Sequence, residues 1–134
     1  MRLAVAGLAA AALLAGCGGG AGDLMSIAVS GVGAAHTLVV TGDGRGSCDG
    51  GPLKTLQSSD VLDAREVARE LKDLAKRGDT FTARGRTFLA KTKDGSVRWS
   101  ETYRPLPTPL PEAELLTLTL TRELCEGAVP RSGG

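Results

Sequence analysis

Apolar and polar residues alternate strictly at the start of the patterned part of the chain, over residues 24–30. Met25, Ile27 and Val29 share one side of this stretch, and Ser26, Ala28 and Ser30 share the other. Such a period of two is typical of a β-strand with one buried face. A second apolar run covers residues 37–41, after a turn with glycines at 31 and 33. The pattern predicts a first β-hairpin.

A helical period follows between residues 59 and 78. Apolar residues recur at i, i+3, i+4 and i+7, as in a helix with one buried stripe. They are Ala64, Val67, Ala68, Leu71, Leu74 and Ala75. We expect Ser59 or Asp60 to cap this helix and Gly78 to end it in the left-handed conformation.

The charged residues of the same helix separate into two stripes. The basic stripe consists of Arg65, Arg69, Lys72 and Lys76. The acidic stripe consists of Asp63, Glu66, Glu70 and Asp73. An ordinary solvated surface explains both stripes, and a docking face with two signs of charge is the alternative.

A second hairpin is predicted over residues 86–103. It turns at Asp94-Gly95, a strong two-residue turn signal. Such a turn pairs Lys93 with Ser96 and Ala90 with Trp99. Trp99, the only tryptophan, is expected in the core, although stacking on a ligand is the other role open to it.

The last element, residues 112–126, fits two patterns. Leucine and threonine alternate as in a strand, whereas Pro111 and the glutamates after it resemble a helix start. We favour the helix and leave the strand open. The predicted fold is therefore α+β, with element order ββαββα: a four-stranded antiparallel sheet of two hairpins, with two helices on one face.

The N-terminal residues carry an export signal. Arg2 precedes an apolar run over residues 3–15, and Leu14-Ala15-Gly16-Cys17 matches the lipobox of bacterial lipoproteins. We expect residues 1–16 to be removed as a signal peptide and Cys17 to carry diacylglycerol. Two acyl chains would anchor the chain to the extracytoplasmic face of the cell membrane.

The lipobox also divides the chain. Residues 17–23 are glycine-rich and form a flexible tether, which reaches about 25 Å at most. A single domain covers residues 24–126, and residues 127–134 form a disordered tail. Losing Arg2 with the signal peptide leaves no net charge, so charge gives no reason to expect nucleic acid as a partner. The expected partners are the membrane, through Cys17, and another envelope protein.

Two further cysteines, Cys48 and Cys125, remain. Outside the cytoplasm such a pair is expected to form a disulfide. Metal binding and redox catalysis are weaker alternatives, because no Cys-x-x-Cys motif accompanies them. Residues 42–52 are rich in glycine but match no phosphate-binding, dinucleotide-binding or calcium-binding motif. We expect them to form a surface loop around the disulfide.

Catalytic motifs are missing from the sequence. His36 is the only histidine, and the chain contains neither H-E-x-x-H nor G-x-S-x-G. We therefore expect a non-catalytic domain without a cofactor. A deep pocket in which His36, Asp43 and Asp49 converge would instead favour an enzyme.

Several short segments resemble a group of small uncharacterised lipoproteins of high-GC bacteria. These segments are Gly50-Gly51-Pro52-Leu53, Leu62-Asp63-Ala64-Arg65-Glu66, Asp94-Gly95 and Glu123-Leu124-Cys125. The resemblance implies a lipoprotein and brings no specific function. The element order, Ser30-Gly31-Val32-Gly33 and the prolines before the last element also resemble the emfourin group of metallopeptidase inhibitors. That resemblance implies inhibition of an extracellular metallopeptidase as an alternative function and assigns no residues to it.

Overall fold

The computed structural model describes residues 22–31, 33 and 35–126. These residues form a mixed sheet of seven strands in the order β4-β3-β2-β1-β6-β7-β5. The strands are β1 Asp23–Ser30, β2 His36–Thr41, β3 Arg45–Cys48, β4 Lys54–Thr55, β5 Thr80–Phe81, β6 Thr87–Thr92 and β7 Gly95–Ser100. All neighbours are antiparallel except β5 and β7. The α+β class is confirmed, but the sheet is neither four-stranded nor wholly antiparallel.

The four strands expected from the sequence form the centre of this sheet. β1 pairs with β2 as the first hairpin and with β6 on its other side. Met25, Ile27 and Val29 of β1 are buried on one face. The predicted first hairpin and its buried face are confirmed, because alternation of this regularity fixes which side chains turn inward.

The second hairpin has a different register from the predicted one. Ala90 lies opposite Val97, and the strands close at Thr92 and Gly95, so Lys93 and Asp94 form the turn. The shift preserves the buried face because it moves each pairing by two residues. Gly95 (φ 144°) is needed for packing: a Cβ there would lie 2.2 Å from the carbonyl oxygen of Ala75.

The prediction of a surface loop at residues 42–52 is partly wrong. β3 occupies Arg45–Cys48 within it and pairs with β2, and β4 adds a further edge. Gly46 explains why this strand lacks an apolar signature. A Cβ at Gly46 would lie 2.9 Å from the Cδ1 atom of Leu124 and 3.3 Å from the Cδ2 atom of Leu56. Neighbouring leucines thus fill the space that a side chain at this position would need.

The predicted helix at residues 59–78 is two helices, α1 Ser58–Glu70 and α2 Lys72–Arg77. Gly78 ends α2 in the left-handed conformation (φ 67°), as expected. The predicted cap is wrong, because Gln57 precedes α1 without a side-chain hydrogen bond. Asp60 instead lies inside the first turn and is buried.

The last element is helical. α3 spans Leu110–Leu120 and continues as a π-helical segment, Thr121–Glu126. The core lies between one face of the sheet and the helices. Trp99 is fully buried there and stacks on Phe88, with ring centroids 5.2 Å apart. The core position expected for Trp99 is confirmed.

No helix among the described residues has the length and apolar character needed to cross a membrane. The predicted signal peptide, the lipidation site Cys17, most of the tether and the predicted tail lie outside the described residues.

Candidate functional site

The two expected partner cysteines are joined. Cys48 ends β3, and Cys125 lies in the π-helical segment, with their Cα atoms 5.4 Å apart in a disulfide that spans 77 positions of the chain. Pairing of β3 with β2 places Cys48 opposite Leu38, next to the strand start at His36. The disulfide therefore joins the sheet to the C-terminal helical segment.

His36 and Asp49 form a hydrogen-bonded pair beside this disulfide. The Nδ1 atom of His36 donates to the Oδ2 atom of Asp49 at 2.9 Å, and the backbone N–H of Thr37 donates to Oδ1 at 2.8 Å. Asp49 has a positive φ of 53°, which asparagine and aspartate tolerate better than most residues. The hydrogen bond from His36, followed by that from Thr37, holds the pKa of Asp49 below its ordinary value.

The ligating atoms of His36, Cys48 and Cys125 lie within 4.8 Å of one another, as in a metal site. Zinc and similar ions are bound by thiolates, however, and here each sulfur is bonded to the other. In this state the three residues offer a single imidazole, with the Asp49 carboxylate beside it. The cleft beside it, of about 310 Å³, is lined in part by Lys54.

Of the three residues whose convergence would favour an enzyme, only two meet. Asp43 lies apart from His36 and Asp49, where it accepts hydrogen bonds from the Thr41 hydroxyl and the Arg45 guanidinium. These two contacts lower the pKa of Asp43. The predicted condition for an enzyme is therefore not met at these residues.

A cleft of about 430 Å³ lies beside α3 and is lined in part by His36, Arg86, Arg122 and Glu126. Both signs of charge are present, and Arg86 lies 3.7 Å from Glu101, so part of its charge is already compensated. This cleft carries no orphaned polar atom and gives no indication of a particular ligand.

A groove between α1 and α3 has a distinct chemistry, and we call it the acidic groove. Its volume is about 230 Å³, and buried Val67 and Leu116 contribute its apolar surface together with Leu115 and Thr119. Five carboxylates line it: Asp60, Asp63, Glu66, Glu70 and Glu112. Three members of the acidic stripe predicted on the first helix, Asp63, Glu66 and Glu70, therefore line this groove, whereas Asp73 does not.

Asp60 has an unusual position in the acidic groove. It is only 7% exposed, and its Oδ2 atom is the one buried side-chain oxygen or nitrogen of the described residues without a hydrogen-bond partner. A side-chain hydrogen bond with Asp60, then burial and the negative charge of Asp60, raise the pKa of Glu123 to about 7. The sequence offered no sign of this pair, since Asp60 was predicted to cap a helix.

The chain matches no protein-family profile, no curated protein and no solved structure.

Proposed function

We propose that this protein is a lipid-anchored lipoprotein on the extracytoplasmic face of the cell membrane. In this proposal Cys17 carries the lipid, and the folded domain is a non-catalytic accessory or interaction module for another envelope protein. The Cys48–Cys125 disulfide is the observation that supports it best. Disulfides persist in oxidising compartments outside the cytoplasm. Pairing of Cys48 with Cys125 also leaves Cys17, in the lipobox, as the remaining cysteine of the three in the chain.

The non-catalytic role is supported by the state of the one histidine. His36 contacts Asp49 and lies 3.7 Å from the Sγ atom of Cys48. That sulfur is already in a disulfide and is not available as a nucleophile to be activated by His36. The acidic groove, with exposed charge over apolar side chains, is instead typical of a binding surface.

Fractionation and intact mass of the chain expressed in a bacterial host test this proposal. We expect the protein in the membrane fraction, without residues 1–16 and with a diacylglyceryl group on Cys17. Cys17→Ser should abolish the modification, whereas Cys48→Ser with Cys125→Ser should leave it in place. An unmodified Cys17 in the wild-type protein would refute the anchor.

The alternative, inhibition of an extracellular metallopeptidase, is tested with the same preparation. Stoichiometric inhibition of a thermolysin-type protease would favour it over the accessory role, and no inhibition across a protease panel would remove it.

A further inference from the structure

The acidic groove holds negative charge that the protein does not neutralise itself. No lysine or arginine is among the residues that line it. Within the described residues, Glu66 is the one carboxylate of the five in a salt bridge, to Arg69 at 2.6 Å. The other four have no such partner.

Carboxylates repel one another in the groove, mainly along α1 and to a smaller extent between α1 and α3. A side-chain hydrogen bond with Glu66, then partial desolvation and the charges of Glu66 and Glu112, raise the pKa of Glu70 above its ordinary value. Glu112 belongs to α3 and Glu70 to α1. Because like charges face each other across the groove, a cation bound between them would relieve repulsion on both walls.

Asp60 supplies a second and independent indication of a ligand. Buried polar atoms are nearly always hydrogen-bonded, because an unpaired one costs roughly 1–3 kcal/mol. The Oδ2 atom of Asp60 lacks such a partner, and Asp60 lines the acidic groove. Glu123 shares its proton with the Asp60 carboxyl only while Glu123 is protonated, below its pKa of about 7. Once Glu123 is ionised, a donor from a bound molecule would satisfy Asp60.

Exposed leucines adjoin these charges. Leu115 lines the groove and is 67% exposed, and Leu62 is 63% exposed one turn before Glu66 on α1. These two are the most exposed large hydrophobic residues of the described chain. A ligand that matches this surface needs apolar groups as well as positive charge.

The arrangement of the carboxylates argues against a single metal ion. Metal sites gather several ligand atoms around one point. Within the described residues, the one cluster of three such ligands within 4.8 Å is that of His36, Cys48 and Cys125. The groove carboxylates are instead spread along two helices, which suits a ligand with several separate positive charges.

We propose that the acidic groove binds a cationic amphipathic segment of a partner protein. Its lysine or arginine side chains contact the carboxylates of α1 and α3, and its apolar side chains cover Leu115. Helix-in-groove binding of this kind is a common form of peptide recognition. The inference rests on the proposed role as an interaction module and names the chemistry of its partner.

Binding of a designed peptide tests the inference directly. The probe is a fluorescent peptide of leucines and lysines at helical spacing, and its control has glutamate in place of lysine. Fluorescence anisotropy is measured with the full chain in a nonionic detergent, with detergent alone as blank. We expect binding of the lysine peptide only, and weaker binding as salt is raised, since ion pairs at a surface are screened.

Charge variants locate the binding site. Glu70→Gln with Glu112→Gln should raise the Kd by about tenfold or more, because it removes one carboxylate from each wall. Asp23→Asn with Asp94→Asn is the matched control, since these two carboxylates lie beside a cleft on the other flank of α1. That control should change the Kd by less than about twofold. An equal loss in both variants would overturn the inference.

Variants that replace exposed leucines test the apolar part of the acidic groove. Leu115→Ser should weaken the lysine–leucine peptide and leave binding of an all-lysine peptide unchanged. Leu53→Ser is the control, because Leu53 is also exposed, at 45%, but does not line the groove. No effect of Leu115→Ser would overturn the amphipathic character of the ligand.

Two other results would overturn the choice of ligand. The first is stoichiometric calcium binding that Glu70→Gln with Glu112→Gln abolishes, with no peptide bound. The second is self-association removed by the same variant, which would make the occupant a second copy of this chain. The anchor is judged separately: an acylated Cys17 without peptide binding refutes the groove inference alone, and peptide binding without acylation refutes the anchor alone.

Discussion

Glu123 is expected to make this protein less stable as the pH rises from about 5 to about 8. Its pKa in the folded protein is about 7, above the ordinary value of 4.5, because it is hydrogen-bonded to Asp60 and partly buried beside it. The folded protein therefore holds this proton more tightly than the unfolded chain does. The stabilisation is fully present below about pH 4.5 and is lost as the pH rises through about 7.

The size of this effect follows from the two pKa values. One pKa unit corresponds to 1.36 kcal/mol, so a rise from 4.5 to about 7 corresponds to at most about 3 kcal/mol. Solvent reaches the Glu123 side chain and screens its repulsion with Asp60. We therefore expect a loss of about 1 to 2 kcal/mol in the free energy of unfolding.

Urea unfolding across this pH range, followed by the fluorescence of Trp99, measures the loss. Trp99 is a suitable probe because it is fully buried. Glu123→Gln should remove the Glu123 contribution, since its neutral amide can donate to Asp60 at every pH. Glu126→Gln, an exposed change three positions away, is the control and should behave as wild type. If wild type and Glu123→Gln lose stability equally between these pH values, the explanation is wrong.

Three further predictions concern single features of the fold. Replacing Cys48 and Cys125 by serine should lower the free energy of unfolding by about 4.5 kcal/mol, from the length of the loop they close, and equal melting temperatures in calorimetry would contradict this. Gly95→Ala should lower the free energy of unfolding measured in urea by more than about 3 kcal/mol, because its Cβ would overlap a helix carbonyl. Gly50→Ala, with open space around it, should lower it by about 1 kcal/mol. Trp99→Phe should cost about 2 kcal/mol in urea unfolding followed by circular dichroism, since it removes the indole N–H that donates to a half-buried glutamate on α3, and an unchanged midpoint would refute that role.

The sequence predicted the centre of the fold because its strands and helices carry regular periods. Alternation in β1 fixed the buried face, and Gly78 correctly marked a helix end. Periodicity indicates which side chains turn inward. The buried face of the second hairpin was therefore predicted correctly, although its pairing register was not. The disulfide was predicted from compartment and cysteine count rather than from geometry.

The remaining features depend on contacts between distant parts of the chain. Gly95 read as a turn residue, but its position is set by the approach of α2. Gly46 read as a loop residue, although leucines from elsewhere occupy the space beside it. Asp60 read as a helix cap, whereas its environment includes Glu123, more than sixty positions later. No local pattern encodes a neighbour that only the folded chain brings near.

Both outer strands of the sheet are only two residues long, Lys54–Thr55 on one side and Thr80–Phe81 on the other. An exposed sheet edge offers unpaired backbone groups to which another chain can add a strand, and short edge strands limit this hazard. Confinement to a membrane surface would bring copies of a lipoprotein close together and make such edge-to-edge pairing frequent. If the chain is anchored as proposed, the brevity of β4 and β5 would limit aggregation through its own backbone.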